Sequence, residues 1–555
     1  MGQTDKNSTG ASLLSGGSLS FALCFMLFLY APYELFLTNR REFRFTAGQM
    51  LPYTLVLFAS AFCLCLLALL LARAISPKLL VLCEGVLLFA LIGFYVQGNF
   101  LVSGLPGMDG TEVDWNAYPT QRLLSCLCWA GSALLSFLLW RLLKTVRFLR
   151  VSGAAGAVLS LLLILTLGGL LLTNGGQSRA EANAVFFTDA QLFSMSEEEN
   201  FIVLHLDALD AAAFEEVLSE RPEYREAYED FTYFDNTMSG YPFTKCSLPL
   251  LLTGQWYEAQ EDFDSWVNDA MEASPLFQAL LAKDYRLALY EMDNLKLSWK
   301  RMGGRLENST TDGPTITSRP EMLKTMLRMA MVKYFPWDLK EIGYRLQEKL
   351  TSFLTLQRPD GTSLYLWDNL IIYDQLAEED SIRLRADKSF KYIELKGAHV
   401  PNTTQADLKY NPDATYLDSV EASMKIAQTL IERMKAAGVY DNSVLVILGD
   451  HGYNYANDKT YIRQHPMLMI KGRGERHPFA VDNAPVSHAD LCGAFVRLLD
   501  GADSSACFDW HAGQQRERRF LNYSWTDLDR FEEYMQSGQA EDGETLLPTG
   551  RVFTR

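Results

Sequence analysis

The chain has 555 residues, too many for one ordinary domain, and its apolar and charged residues are unevenly spread, so it divides into two parts. A formal net charge of −17, with no basic stripe, argues against a nucleic-acid binder. None of the nine cysteines shows metal-binding spacing, and six of them (Cys24, Cys63, Cys65, Cys83, Cys126, Cys128) fall in the apolar part, where a small hydrophobe is the ordinary reading.

Up to about residue 175 the chain is built from apolar runs, five of them long enough to cross a bilayer: roughly 19–38, 51–73, 79–101, 122–143 and 153–173. The first is not a cleavable signal, because four more follow it. Arg73 and Lys78 flank the second loop, Arg141, Lys144, Arg147 and Arg150 crowd the fourth, and the third is acidic (Asp109, Glu112, Asp114). The positive-inside rule then puts loops two and four in the cytoplasm and everything after the fifth span outside, although Arg40, Arg41 and Arg44 pull the other way. Glu34 and Glu84 fall in or near spans, where a carboxylate either snorkels to an interface or grips a lipid headgroup. Pro106, Gly107 and Gly110 make the third loop a turn-rich lid candidate.

Residues 176–199 read as a linker that begins in a polar Gly/Asn/Ser stretch. From residue 200 short apolar runs alternate with helical patterns: a helix over Asp210–Glu220, another over Ser274–Lys283 with the strand Tyr285–Tyr290 behind it, and a third over Val420–Ala437. Such alternation implies a mostly parallel, helix-covered sheet, hence an α/β domain over 200–535 and a tail over 536–555. The Met-, Lys- and Arg-rich stretch 300–360 reads as helices near the membrane. Cys492 and Cys507 could form a disulfide if this part lies outside the cytoplasm.

Two apolar runs carry the chemistry. Phe201–Leu206 ends at Asp207, and Ser443–Leu448 ends at Gly449-Asp450-His451-Gly452. Runs of this kind suit strands buried on both faces, and in such sheets sites form at the carboxyl ends of the strands. Asp207, Asp450 and His451 offer two carboxylates and an imidazole, a ligand set that suits Zn²⁺ or Mn²⁺, with the hydroxyl of Thr244 as a fourth ligand. A threonine hydroxyl beside such a cation is easier to deprotonate and becomes a nucleophile near neutral pH. An Asp after a strand is often only a helix N-cap, so Asp207 and Asp210 each have that second reading. His205, His477, His488 and His511 read as core or surface histidines.

Residues 200–535 resemble the sulfatase-like branch of the alkaline phosphatase superfamily. The first strand with its terminal Asp207 is similar to that branch's metal-ligand strand, and Thr244 falls where sulfatases place the cysteine of Cys-x-Pro-Ser-Arg before Leu252-Thr253-Gly254. Cys246 and Leu248 replace the Pro and Arg of that motif, which argues against formylglycine chemistry. Thr244-Lys245-Cys246-Ser247-Leu248-Pro249 instead resembles the threonine motif of phosphoethanolamine transferases, and lipoteichoic acid synthases and related phosphoglycerol transferases also use a threonine there. Gly449-Asp450-His451-Gly452 matches their second metal motif, and Lys396–Pro401 is similar to their Gly-x-His-x-Pro, whose counterpart here is His399. Val486–Leu491 resembles the opening of a late helix in these families. The pattern departs in the cysteine pairs around the nucleophile, which are missing, and after Asp-His-Gly, where Tyr453-Asn454 stand and His465 is a weak candidate for a later site histidine.

The resemblance implies five spans with an external catalytic domain, and a transferase at the outer face of the cytoplasmic membrane. Thr244 takes a headgroup (phosphoglycerol or phosphoethanolamine) from a membrane phospholipid donor and passes it to a glycan or lipid acceptor, with His399 orienting or protonating oxygens. A phosphodiester or sulfate ester hydrolase of the same superfamily and a non-catalytic lipid sensor are the rival readings.

Overall fold

The computed structural model describes residues 2–40, 43, 45–105, 113–174, 185–291, 295–312, 315–344, 354–355, 362–453, 455, 463–525 and 527–555. Arg41, Arg44, Pro106, Gly107, Asp109, Gly110, Glu112, residue 175, the linker residues 176–184 and Asn454 lie outside the described residues. The chain forms two compact units, residues 1–178 with 313–355, and residues 179–312 with 356–555.

The first unit holds five helices long and apolar enough to cross a membrane: α1 (Leu14–Thr38), α2 (Ala47–Ile75), α3 (Pro77–Phe100), α4 (Pro119–Leu142) and α5 (Thr145–Thr173). They coincide with the expected runs and begin two to eight residues earlier; the third and fourth end one residue short of the expected bound. Thr46 opens α2 with a capping box to Gln49, and Ser76 closes α2 and caps α3. Helices α1 and α5 meet on small residues. A methyl group at Gly156 would lie 2.9 Å from the Leu19 backbone, and Ser18 Oγ donates to the Gly153 carbonyl over 3.0 Å. The helices Arg319–Tyr334 and Trp337–Tyr344 belong to this unit, although in sequence they fall inside the expected α/β domain.

The second unit is built on a seven-stranded sheet. Its strands are β1 (Asn200–Leu206), β2 (Thr232–Phe234), β3 (Arg286–Tyr290), β4 (Ser389–Leu395), β5 (Ser443–Leu448), β6 (Leu468–Lys471) and β7 (Ala480–Asp482). The order is β7-β2-β6-β5-β1-β4-β3. Neighbours β5, β1, β4 and β3 are parallel, and β6 alone runs against both of its neighbours. Every residue of β1, β4 and β5 is buried, which explains why β1 and β5 read as apolar runs rather than alternating ones; β4, which carries Lys391 and Glu394, was not read as a strand. The C-terminal residues depart from the expected tail. Strands β8 (Arg518–Ser524), β9 (Asp527–Gln536) and β10 (Leu546–Thr554) form an antiparallel three-stranded sheet. Residue 536 is thus the last residue of a paired strand, and Phe553 packs on the core.

Candidate active site at the carboxyl ends of the central strands

Three adjacent parallel strands deliver the functional residues. Asp207 follows β1 directly, Asp450 and His451 follow β5 after the single residue Gly449, and His399 lies four residues beyond β4. Parallel register brings these ends to one edge, with Leu448 opposite His205 and Leu395 opposite Leu206. Gly397 makes the approach of the third loop feasible. It has φ +59, and a Cβ there would fall 2.4 Å from the Asp207 nitrogen, so only glycine lets His399 come over the end of β1. The N-cap reading falls to Asp210 alone, whose carboxylate accepts from the N–H groups of Ala212 (3.0 Å) and Tyr453 (2.9 Å). Asp207 is left free of that duty. Its successor Ala208, at φ +57, turns its N–H onto Asp450 Oδ1 at 3.2 Å.

Thr244 is the first residue of the helix Thr244–Thr253, which Phe243 precedes without offering a side-chain cap. Thr244 thus stands at the head of a helix whose N-terminus, without a side-chain cap from Phe243, is a favourable end for negative charge. Leu252-Thr253-Gly254 closes the same helix, since Gly254 adopts φ +69 and donates its N–H to Leu250. Thr244 Oγ1 donates toward Asp207 Oδ1 at 3.5 Å. The neighbouring thiol is no rival nucleophile, because burial pushes Cys246 up to about 12.

Asp207 and Asp450 are 2% and 0% exposed, and among the described residues neither forms an ion pair with a lysine or arginine. Burial, followed by the charge of Asp450, raises Asp207 well above the usual carboxylate range. Burial also opposes ionisation of Asp450, but His451, His205 and Thr244 outweigh it and hold that carboxyl well below. His451 Nε2 lies 3.6 Å from both Asp207 Oδ1 and Asp450 Oδ2, while its Nδ1 donates to the Gly452 carbonyl at 2.8 Å. A carbonyl only accepts, so the proton sits on Nδ1, and Nε2 turns a lone pair toward two carboxylates. Asp450 Oδ2 accepts no hydrogen bond. Two carboxylates and an imidazole lone pair that converge are the arrangement a cation resolves, so these residues fit a divalent metal.

Two histidines read as core from the sequence are part of this cluster. His205, fully buried, has Nε2 3.0 Å from Asp450 Oδ1, yet neither ring nitrogen makes a hydrogen bond. The ligand atoms of His205, Asp207 and Asp450 all lie within 4.8 Å of one another. His205 shares a strand face with Asp207 two residues on, a spacing that could have flagged it. His488 opens the helix His488–Leu499, buried beside Asp450, His205 and His451, and burial holds it down to about 3. His465 lies elsewhere, with Nε2 bonded to the Asp235 carbonyl at 2.7 Å. Cys492 and Cys507 are free thiols rather than a disulfide.

His399 is partly buried against Trp367 (rings 5.1 Å apart), and its Nδ1 donates to the Val400 carbonyl at 2.7 Å. Its Nε2 is therefore an acceptor. Burial and then His451 hold the ring down to about 4, so it is neutral at physiological pH. Arg463 is a site residue that sequence reading missed. Its guanidinium lies over the Phe243 ring, 5.0 Å from the centroid, and its charge acts on Asp207, His399 and His451. Gly452 donates to the Arg463 carbonyl (2.9 Å), which ties the two loops together. Trp525, 42% exposed in the β8–β9 turn, extends the same aromatic rim 5.9 Å from Phe243.

A family model described as Sulfatase matches residues 199–502. No curated protein matches the chain. Similar solved structures include the phosphonate monoester hydrolase SpPMH from Silicibacter pomeroyi, at 16% identity over 64% of this chain and 89% of that one, TM-score 0.36. The lipoteichoic acid synthase LtaP from Listeria monocytogenes is similar at 10% identity over 66% and 89%, TM-score 0.35. A protein in the alkaline phosphatase superfamily from Vibrio parahaemolyticus is similar at 12% identity over 67% and 81%, TM-score 0.36.

Proposed function

The chain belongs to the sulfatase family, whose members are hydrolases or phosphotransferases, and from that premise we propose that it moves a phospholipid headgroup through Thr244 onto an acceptor hydroxyl. The observation that carries this reading is Thr244 itself, a hydroxyl on an open helix N-terminus, aimed at a buried carboxylate pair in a chain with five apolar spans. A threonine attacks phosphorus without prior modification, and five spans keep the chain in the membrane, where a lipid donor resides. The reaction takes place on the outer face of the cytoplasmic membrane.

Asp207, Asp450, His451 and Thr244, with His205 beneath them, would hold the divalent cation, Mn²⁺ or Zn²⁺. The bound cation supplies charge that lowers the hydroxyl pKa and offsets the anionic phosphoryl group. In the first step the Thr244 Oγ1–phosphorus bond forms and the phosphorus–oxygen bond to diacylglycerol breaks. The proton of Thr244 passes through His399 Nε2 to the leaving diacylglycerol oxygen. In the second, the hydroxyl of a glycan or lipid acceptor attacks phosphorus, the Thr244 Oγ1–phosphorus bond breaks, and the acceptor's proton returns to Thr244 Oγ1. Arg463 and the N–H groups of the Thr244 helix hold the non-reacting phosphoryl oxygens.

The test is mass spectrometry of the Thr244 peptide after incubating the protein with membrane phospholipids and Mn²⁺ or Zn²⁺. An adduct absent from Thr244→Ala is expected, and its mass names the headgroup, phosphoglycerol or phosphoethanolamine. Diacylglycerol release without an adduct or an acceptor product would make the chain a hydrolase. An unmodified peptide and no diacylglycerol with either metal would leave a lipid sensor.

A further inference from the structure

The helices Arg319–Tyr334 and Trp337–Tyr344 carry a surface that the reaction does not use. They form a helical hairpin within the membrane unit. Lys333 pairs with Glu34 of α1, and Tyr334 donates to the same carboxylate over 3.5 Å. The Tyr334 ring lies on Gly98 of α3, where even a methyl group would collide at 2.1 Å. Arg319 lies over the Tyr53 ring of α2 (5.2 Å), and Phe335 meets Phe94 of α3 edge to face (4.9 Å). The Trp337 N–H donates to Ser125 Oγ of α4 (3.0 Å), and Arg122 pairs with Asp338 at 2.8 Å.

These partners share one depth. Glu34, Tyr53, Gly98 and Ser125 are each within six residues of the nearest end of their span, or about 10 Å at 1.5 Å per residue. The four ends are those on the side of the first and third loops, where the chain also leaves α5. The hairpin is therefore a layer at one interface. Its aromatic content matches that depth. Trp337 contacts Trp115 (5.6 Å) and Tyr118 (5.5 Å), and Tyr344 contacts Trp115 (5.6 Å), an aromatic girdle of the kind found at headgroup level.

The face of Trp337–Tyr344 turned away from the spans is apolar at its centre. Leu339 and Ile342, three residues apart on one face, are 40% and 52% exposed. Lys340 between them points inward, its ammonium donating to the Val332 and Lys333 carbonyls. Asp338 is occupied by Arg122. Lys340 is thus turned inward and Asp338 is engaged by Arg122, while leucine and isoleucine are displayed. We infer that the hairpin is an interfacial membrane-binding element, with Leu339 and Ile342 seated at the border of the acyl chains in the leaflet on that side. Lipid is the occupant because the face continues, at matching depth, the apolar surface of the spans on which the hairpin rests. In sequence the catalytic unit then meets the membrane unit three times, after residue 178 and on either side of the hairpin, rather than through one linker.

Photo-crosslinking of the full chain tests this. p-Benzoylphenylalanine is placed singly at Leu339, at Ile342, at Leu127 (59% exposed on α4) and at the exposed Glu379 of the catalytic unit, in vesicles of phosphatidylethanolamine and phosphatidylglycerol. Lipid adducts at 339 and 342 are expected to approach the yield at 127 and to exceed that at 379 by about fivefold or more. Yields no higher than at 379, or adducts to protein in place of lipid, overturn the inference. Unsubstituted protein in vesicles carrying a photoactivatable phospholipid gives a reading independent of the replacements. Crosslinks mapping to 337–344 are expected, and none there overturns the inference as well.

Discussion

The two units each hold a buried polar cluster, and the two clusters differ in kind. In the membrane unit Glu34 meets a lysine and a tyrosine hydroxyl, and Ser125 links Gln97 to the Trp337 N–H. In the catalytic unit Asp207 and Asp450 meet each other, with the lone pair of His451 turned toward both and His205 closing from below. Polar groups that satisfy one another hold a fold together; acceptors that face acceptors weaken it until something positive arrives. The contrast separates structural polarity from functional polarity without reference to the reaction.

The largest expected effect tests the functional side. Thr244→Ala removes the nucleophile while leaving the carboxylates in place, so turnover should fall by about four orders of magnitude or more. Metal-induced stabilisation should persist in that variant, weakened by the loss of one ligand. If metal binding vanished along with turnover, Thr244 would be holding the cation rather than performing the attack.

The carboxylate pair gives the next effect, and its sign is distinctive. A carboxyl whose folded-state pKa is raised, as Asp207's is, binds a proton more tightly folded than unfolded. Its stabilising contribution is present below the ordinary carboxylate pKa and lost as pH rises through the folded value. Metal-free protein should therefore melt at a lower temperature at pH 8 than at pH 5, and Asp207→Asn should flatten that difference. Saturating Mn²⁺ should reverse the order for the native chain, adding about 4 kcal/mol at a thousandfold excess over Kd, and should do little for the variant. Thermal melts with and without chelator at the two pH values decide it.

Arg463 separates substrate binding from metal binding within the site. Arg463→Gln should lower kcat/KM by roughly 10- to 100-fold and weaken protection by inorganic phosphate, with Arg463→Lys intermediate because it keeps the charge but not the fork. Mn²⁺ affinity measured by electron paramagnetic resonance should be unchanged. A fall in Mn²⁺ affinity would make Arg463 a structural cation for Asp207 instead.

The sequence made legible whatever depends on unbroken local pattern. β5 was expected over Ser443–Leu448 and forms there, and β1 begins one residue before its expected start. The five spans and the helix after Asp210 follow from apolar runs and a cap. The strand-end positions of Asp207, Asp450 and His451 follow from the same runs. What pattern could not supply was proximity across the chain. His205 and His488 are both fully buried, and nothing local distinguishes either from a core histidine until the parallel register sets β1 beside β5. Arg463 reaches Phe243 across 220 positions of sequence from a loop with no periodicity. Strand β10 was hidden by Pro548 and Gly550, residues that punctuate rather than announce a strand, yet it pairs along one edge of β9. Helices near the membrane were expected over 300–360, but composition named no partner for their basic residues. The structure instead spends Lys333 on Glu34, which also answers why a carboxylate sits near the end of α1.

That pair yields the smallest effect and the cleanest contrast. Lys333 and Glu34 keep 22% and 12% exposure, so the pair is neither a solvent-screened surface bridge nor a fully sequestered one. Removing one partner strands the other near hydrocarbon, and Glu34→Gln or Lys333→Met should each cost about 1–3 kcal/mol, less than the 3–5 typical of a fully buried pair. The double variant should recover most of the loss, because no uncompensated charge then remains. Melting temperatures in one detergent at one pH are enough to read this cycle. At neutral pH, metal-free Asp207→Asn should be more stable than the native chain, whereas Glu34→Gln should be less stable. The same chemical change, carboxylate to amide, then carries opposite signs in the two units. Equal signs would mean that the carboxylates at the strand ends are held by the fold as firmly as Glu34 is, and that they need no cation to sit where they do.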